Sequence, residues 1–130
     1  MQSALRHVCA AALLGLLLSG CGGKGATSPS GTPGPSGATV TILATDVLSP
    51  KTVQVTVGQS VTFINNDSRV HDMASDPHPT HTQCPALNAA SNLSPGQTKL
   101  SNALTTATTC GFHDHNDPEN VNLQGTVTIR

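Results

Sequence analysis

Cys110-Gly111-Phe112-His113-Asp114-His115 puts a thiol, a carboxylate and two imidazoles within six residues. Each of those groups is a metal donor, and they differ mainly in softness. His113 and His115 alternate with Asp114, so on a strand both imidazoles project from one face and can grip one ion. A second stretch carries His71, His78 and His81, and with the first it holds every histidine after His7. The two stretches read as halves of one metal site, with His71, His113 and His115 brought together and His81 and His78 as further candidates. Asp114 has two readings: an acceptor that fixes an imidazole tautomer, or an unremarkable acid at a loop end.

The segments before residue 38 are not part of the expected fold. Val8 to Leu18 is an apolar run behind Arg6 and His7. It is too short to span a membrane and suits a signal-peptide core. Leu18-Ser19-Gly20-Cys21 resembles the bacterial lipobox, which implies cleavage after residue 20 and a lipidated Cys21. Several acyl chains on one cysteine make a stable membrane anchor. In Gly22–Gly37, 14 of 16 residues are Gly, Pro, Ser or Thr. Such a segment has no apolar surface to offset its ordering entropy and reads as a flexible tether. The expected organisation is a signal peptide at 1–20, a lipidated cysteine and tether at 21–37, and one domain at 38–130.

Charge excludes one class of partner. After the leader, five Lys or Arg face seven Asp or Glu, with no basic run and no Trp or Tyr. Nucleic-acid binding has no basis in such a surface. Cysteine use is more informative. With Cys9 in the leader and Cys21 at the lipobox, Cys84 and Cys110 remain, in a compartment where disulfides persist. Cys110 is therefore either a ligand thiolate or half of a Cys84–Cys110 disulfide that ties a long loop to the ligand strand. It cannot be both.

The elements that must position these residues read as short strands. Ala38–Ala44 is β-branched, Val53, Val55 and Val57 alternate with polar residues, and Val61 and Phe63 alternate after the Gly58-Gln59 turn. Asn65-Asn66-Asp67-Ser68 is turn chemistry. Arg69–Ala74 reads as a short strand carrying His71. Ser75–Asn92 reads as an irregular loop, since Pro77, Pro79 and Pro85 bar a central strand. Thr98–Leu104, Thr108–His115 and Gly125–Arg130 complete the set. No helical period is convincing, and about seven short strands argue for an all-β Greek-key sandwich or barrel. Alternation puts Cys110, Phe112 and Asp114 on one face of their strand and His113 and His115 on the other.

At this point the chain resembles the cupredoxins, the plastocyanin and azurin family. The resemblance rests on Val55-Thr56-Val57-Gly58-Gln59-Ser60-Val61-Thr62-Phe63-Ile64-Asn65-Asn66-Asp67, with His71 after it. It also rests on the Ser94-Pro95-Gly96-Gln97 turn and the closing Leu123-Gln124-Gly125-Thr126-Val127-Thr128-Ile129. It implies a copper ion held by a first histidine, then a cysteine, a second histidine and a weak axial methionine. Leu123 stands at the methionine position. Cys110-x-x-His113 copies the family's ligand spacing in one alignment. In another, Asp114 falls at the cysteine position and Cys110 where an aromatic packs inward. His78-Pro79-Thr80-His81 and His113-Asp114-His115 also resemble a histidine-rich variant found in bacterial cupredoxin-like proteins.

These features support a membrane-anchored copper-binding protein of the cell envelope, on its periplasmic or outer-surface side. It would serve electron transfer or copper handling with an envelope redox or trafficking partner. Zinc suits imidazoles as well as copper does. Either ion needs neutral rings, so binding should fail as pH drops below about 6. Two alternatives stand beside it. One is a metal-free scaffold or adhesion domain. The other is a copper enzyme, since Gly111-Phe112-His113-Asp114-His115 is similar to a segment of copper/zinc superoxide dismutase. That family has further ligands downstream, and no histidine follows His115.

Overall fold

A computed structural model describes residues 34–130. The expected signal peptide, Cys21 and most of the expected tether lie outside the described residues. Among the described residues there are eight strands: β1 Ser36–Leu43, β2 Val47–Ser49, β3 Thr52–Val55, β4 Ser60–Asn65, β5 Met73–Ser75, β6 Thr98–Leu100, β7 Thr108–Asp114 and β8 Gln124–Ile129. Two 3-10 turns, Pro85–Ala90 and Val121–Leu123, complete the elements. The strands form two mixed sheets, ordered β2-β1-β4-β6 and β3-β8-β7-β5.

The expected all-β sandwich is present, with differences at its edges. β1 starts at Ser36, two residues before the expected Ala38, because β4 holds the approach. Gly34 N–H donates to Ser60 Oγ at 2.8 Å, and Ser60 N–H donates to the Pro35 carbonyl at 3.0 Å. The three-residue β2 beside Pro50 is additional. The stretch expected as a strand through His71 is cut back to Met73–Ser75, with His71 joined to Leu93 by an isolated bridge.

Each sheet turns one set of alternating side chains inward. Val40 and Ile42 of β1, Val61 and Phe63 of β4, Val53 and Val55 of β3, and Val127 and Ile129 of β8 are buried. The two phenylalanines meet across the sandwich, Phe63 from one sheet and Phe112 from the other, with centroids 5.4 Å apart and edge to face. Such a pair adds about 0.5–1.5 kcal/mol beyond its burial. Gly125 is paired with Phe112 in the β7–β8 ladder, and a Cβ there would strike the ring and the Lys51 carbonyl. Glycine at 125 therefore lets β8 close over the aromatic.

Asn65 builds the turn that leads to His71. Its Nδ2 donates to the carbonyls of Arg69 and Leu93 at 2.7 and 2.8 Å, and its Oδ1 accepts from Asp67 N–H at 2.8 Å. The side chain is fully buried, so these three bonds satisfy the polar atoms that burial strips of water.

Candidate metal centre

β7 presents two kinds of residue on its two faces, as period-2 alternation requires. Cys110, Phe112 and Asp114 face the core. Gly111 and His113 face the other way, and His115 follows at the strand's end. The segment from Asp76 to Cys84 folds back over that outer face and is pinned to β7 at both ends. At one end Asp76 N–H donates to the Gly111 carbonyl at 3.0 Å. At the other, Gly111 N–H donates to Gln83 Oε1 at 2.9 Å, and Cys84 forms a disulfide with Cys110. The thiolate alternative for Cys110 is therefore closed, because its sulfur is spent in the disulfide.

The pinned segment brings His78 and His81 onto His113 and His115. Each of the four offers a ring nitrogen, and these nitrogens all lie within 4.8 Å of one another. Two nitrogens at 2.0–2.1 Å from one ion stand at most about 4.2 Å apart, so a small contraction closes the group on an ion. His81 is placed by its main chain. Its N–H donates to the Pro77 carbonyl at 2.8 Å, its carbonyl accepts from Asn88 Nδ2 at 3.0 Å, and its φ of 50° is left-handed. Burial, then the neighbouring His115, His113 and His78, pushes its pKa below the usual imidazole value, keeping its ring neutral.

His113 carries the decisive geometry. It is 3% exposed. Its Nδ1 lies 2.6 Å from Asp76 Oδ1. An ionised carboxylate only accepts, so Nδ1 carries the proton and Nε2 keeps a free lone pair. That Nε2 is the one buried side-chain nitrogen or oxygen among the described residues without a hydrogen-bond partner. Buried polar atoms are rarely left so. A metal ion among the four rings would satisfy it, with Asp76 holding the ring in the ligating tautomer. Gly111 is what lets Asp76 reach: a Cβ at 111 would collide with the Asp76 carboxylate. The sequence reading missed Asp76. Its position two residues before His78 was the available signal.

The expected grouping of His71 with His113 and His115 does not hold. His71 is 1% exposed and sits on the core side of β7. Its Nδ1 is 2.7 Å from Asp114 Oδ2 and its Nε2 is 3.0 Å from Asp67 Oδ2. Both ring nitrogens face carboxylates, and His71 groups with Asp46 and Asp67, whose potential ligand atoms all lie within 4.8 Å of one another, apart from the four histidines. Arg69 pairs with Asp46 and, at 3.5 Å, with Asp67, closing the cluster toward solvent. The Ser68 main chain, then His71, lowers the Asp67 pKa to about 2. Asp114 Oδ1 also accepts from Asp72 N–H at 2.9 Å and Asn116 N–H at 3.1 Å. Its carboxylate thus serves as a structural acceptor at the end of β7.

The two four-stranded sheets, with β1 parallel to β4 and β3 parallel to β8, match solved copper proteins along most of the chain. Plastocyanin from Dryopteris crassirhizoma superposes with a TM-score of 0.54 at 22% identity, over 71% of this chain and 99% of that one. A purple cupredoxin from Nitrosopumilus maritimus gives 0.55 at 19% identity, over 72% and 99%. A Cu(I) amicyanin mutant gives 0.56 at 22% identity, over 78% and 95%. The fold is a cupredoxin fold. No protein-family model matches the sequence, and no curated protein does either.

His71 meets Asp114, which one alignment of the cupredoxin resemblance puts at the cysteine position, as an imidazole beside a carboxylate. Leu123, at the methionine position, is fully buried in the core. The expected blue-copper position thus holds an imidazole, a carboxylate and an aliphatic side chain, with neither the thiolate nor the thioether that the resemblance implies. The four-histidine group on the other side of β7 offers four imidazole nitrogens to one ion.

Proposed function

We propose that His78, His81, His113 and His115 hold one copper ion. We further propose that the protein handles copper in the cell envelope, anchored there through a lipidated Cys21. The observation that carries this reading is the buried, unpartnered Nε2 of His113, held in the ligating tautomer by Asp76 and surrounded by three more imidazoles. The cupredoxin fold supports copper over zinc, and the amicyanin it resembles is a Cu(I) form.

Bound copper would supply a one-electron redox centre. The chain's own residues favour holding the ion over relaying electrons. Among the described residues no thiolate is open, since Cys84 and Cys110 form the disulfide. Their one thioether is turned away: Met73 pairs with core-facing Asp114, while Ala74 pairs with His113, so Met73 projects to the opposite face. A donor set of imidazoles alone lacks the soft ligands that suit Cu(I).

The test is copper loading of the purified protein. About one equivalent per chain is expected, with a nitrogen-only spectroscopic signature and no intense thiolate absorption. His113→Ala should abolish it. Absence of bound metal would leave the scaffold reading standing. Tighter retention of zinc than copper in direct competition would replace the metal. Reversible one-electron voltammetry of the loaded form would favour a carrier.

A further inference from the structure

The four imidazoles are not held alike. His113 is buried and fixed through Asp76. His115 is partly buried. Its main-chain N–H donates to the Asp72 carbonyl at 2.7 Å, and its Nδ1 lies 3.1 Å from His81 Nε2. His81 is partly buried and fixed by Pro77 and Asn88. His78 is exposed, and among the described residues neither its main chain nor its ring makes a hydrogen bond. Yet its ring packs edge-on or tilted against the other three, with centroids 5.6 Å from His81, 5.6 Å from His113 and 5.0 Å from His115.

Three fixed donors and one free donor on the solvent side is the arrangement of an exchange-competent site. Three protein ligands suffice to retain an ion while a fourth position accepts an outside ligand. Resting on the four-histidine reading, we infer that His78 is the exchange ligand. Copper enters and leaves by displacement of this imidazole, and the partner is a copper donor or acceptor that offers a side-chain donor of its own at the His78 position. His81, His113 and His115 form the retaining face and stay bound until the incoming donor has engaged.

This makes His78 a specificity residue for transfer rather than for retention. The experiment compares copper-loaded wild type, His78→Ala, His78→Gln and His113→Ala, using free imidazole as the incoming donor and a chelator as the sink. His78→Ala should keep one copper per chain, with affinity lowered by less than about tenfold, against at least about a hundredfold for His113→Ala. Its spectrum should change from that of wild type, return on addition of imidazole, and its copper should pass to the chelator faster. His78→Gln should behave in the same way. If either His78 variant loses copper as completely as His113→Ala, His78 is a retaining ligand and the inference is overturned. If its spectrum and transfer rate equal those of wild type, His78 is not a ligand and the inference again fails. In both outcomes wild type still binds copper, which separates this failure from failure of the site itself, where wild type would bind none.

Discussion

Asp76 Oδ1 reaches His113 Nδ1 at 2.6 Å across the side-chain gap that Gly111 leaves in β7. The pair sets which nitrogen of His113 faces the other three imidazoles. Asp76→Ala should therefore lower copper affinity by roughly 10–100-fold, the usual cost of losing the partner that orients a ligating histidine. The Asp76 side chain is 46% exposed, so the melting temperature should move little. Copper titration beside thermal melts checks both halves. An unchanged affinity would mean that His113 does not need the carboxylate.

The disulfide closes a loop between residues 26 apart. Its loss should cost about 2–4 kcal/mol of stability. Cys84→Ser with Cys110→Ser should also weaken copper binding, because the covalent end of the segment carrying His78 and His81 is then released from β7. Urea unfolding and copper titration of the double variant read the two effects separately. A stability loss with unchanged affinity would show that the Gln83 and Asp76 contacts alone hold the segment.

His71→Ala should destabilise the fold without removing the metal. It strips a buried ring from between Asp67 and Asp114 and leaves the buried Asp114 carboxylate without that partner, at a cost of about 1–3 kcal/mol for a buried acceptor so exposed. Copper stoichiometry at a temperature where the variant remains folded should stay at one. Loss of copper from a folded variant would return His71 to the ligand set.

Acid should act in two windows. The His81 pKa lies below its free value of 6.5, so below that pH the unfolded chain takes up a proton that the folded chain resists. Stability of the metal-free protein therefore falls as pH drops through and below 6.5. For the same reason His81 stays open to copper at a pH where a free imidazole is already half protonated. Asp67 goes from 3.8 when free to about 2 in the fold. Its stabilising contribution is present above about pH 4 and is lost as pH falls toward 2. Denaturant midpoints measured from pH 8 to 2, with and without copper, should show both steps.

Much of the architecture was legible because local patterns and the fold agree. The valines of β3 and the Val61 and Phe63 of β4 alternate, and the Asn65 turn delivers His71 into the interior as its motif suggests. Strand alternation also separated Asp114 from His113 and His115 correctly. The error was to join His71 to the histidines rather than to the carboxylate facing it. A family motif carries a histidine's position but not its partner, and here that partner is an acid. Asp76 stood two residues before His78, but its partner His113 lies 37 positions on, and the Asp46–Arg69 pair spans 23. Neither pairing is set by a strand or helix period. β2 and the 3-10 turn at Pro85–Ala90 were missed because each is short and packed by its neighbours.

The parallel pairing of β3 with β8 joins Thr52–Val55 to Thr126–Ile129, and β8 is also the sole ladder partner that β7 has besides β5. The sheet bearing the histidines thus depends on β8 to join its two halves. Without those few residues β7 becomes an edge where the sheet's centre should be, and His113 and His115 stand on a two-stranded ribbon with β5 alone. The ligand strand is therefore steadied by a neighbour that carries none of the four imidazoles.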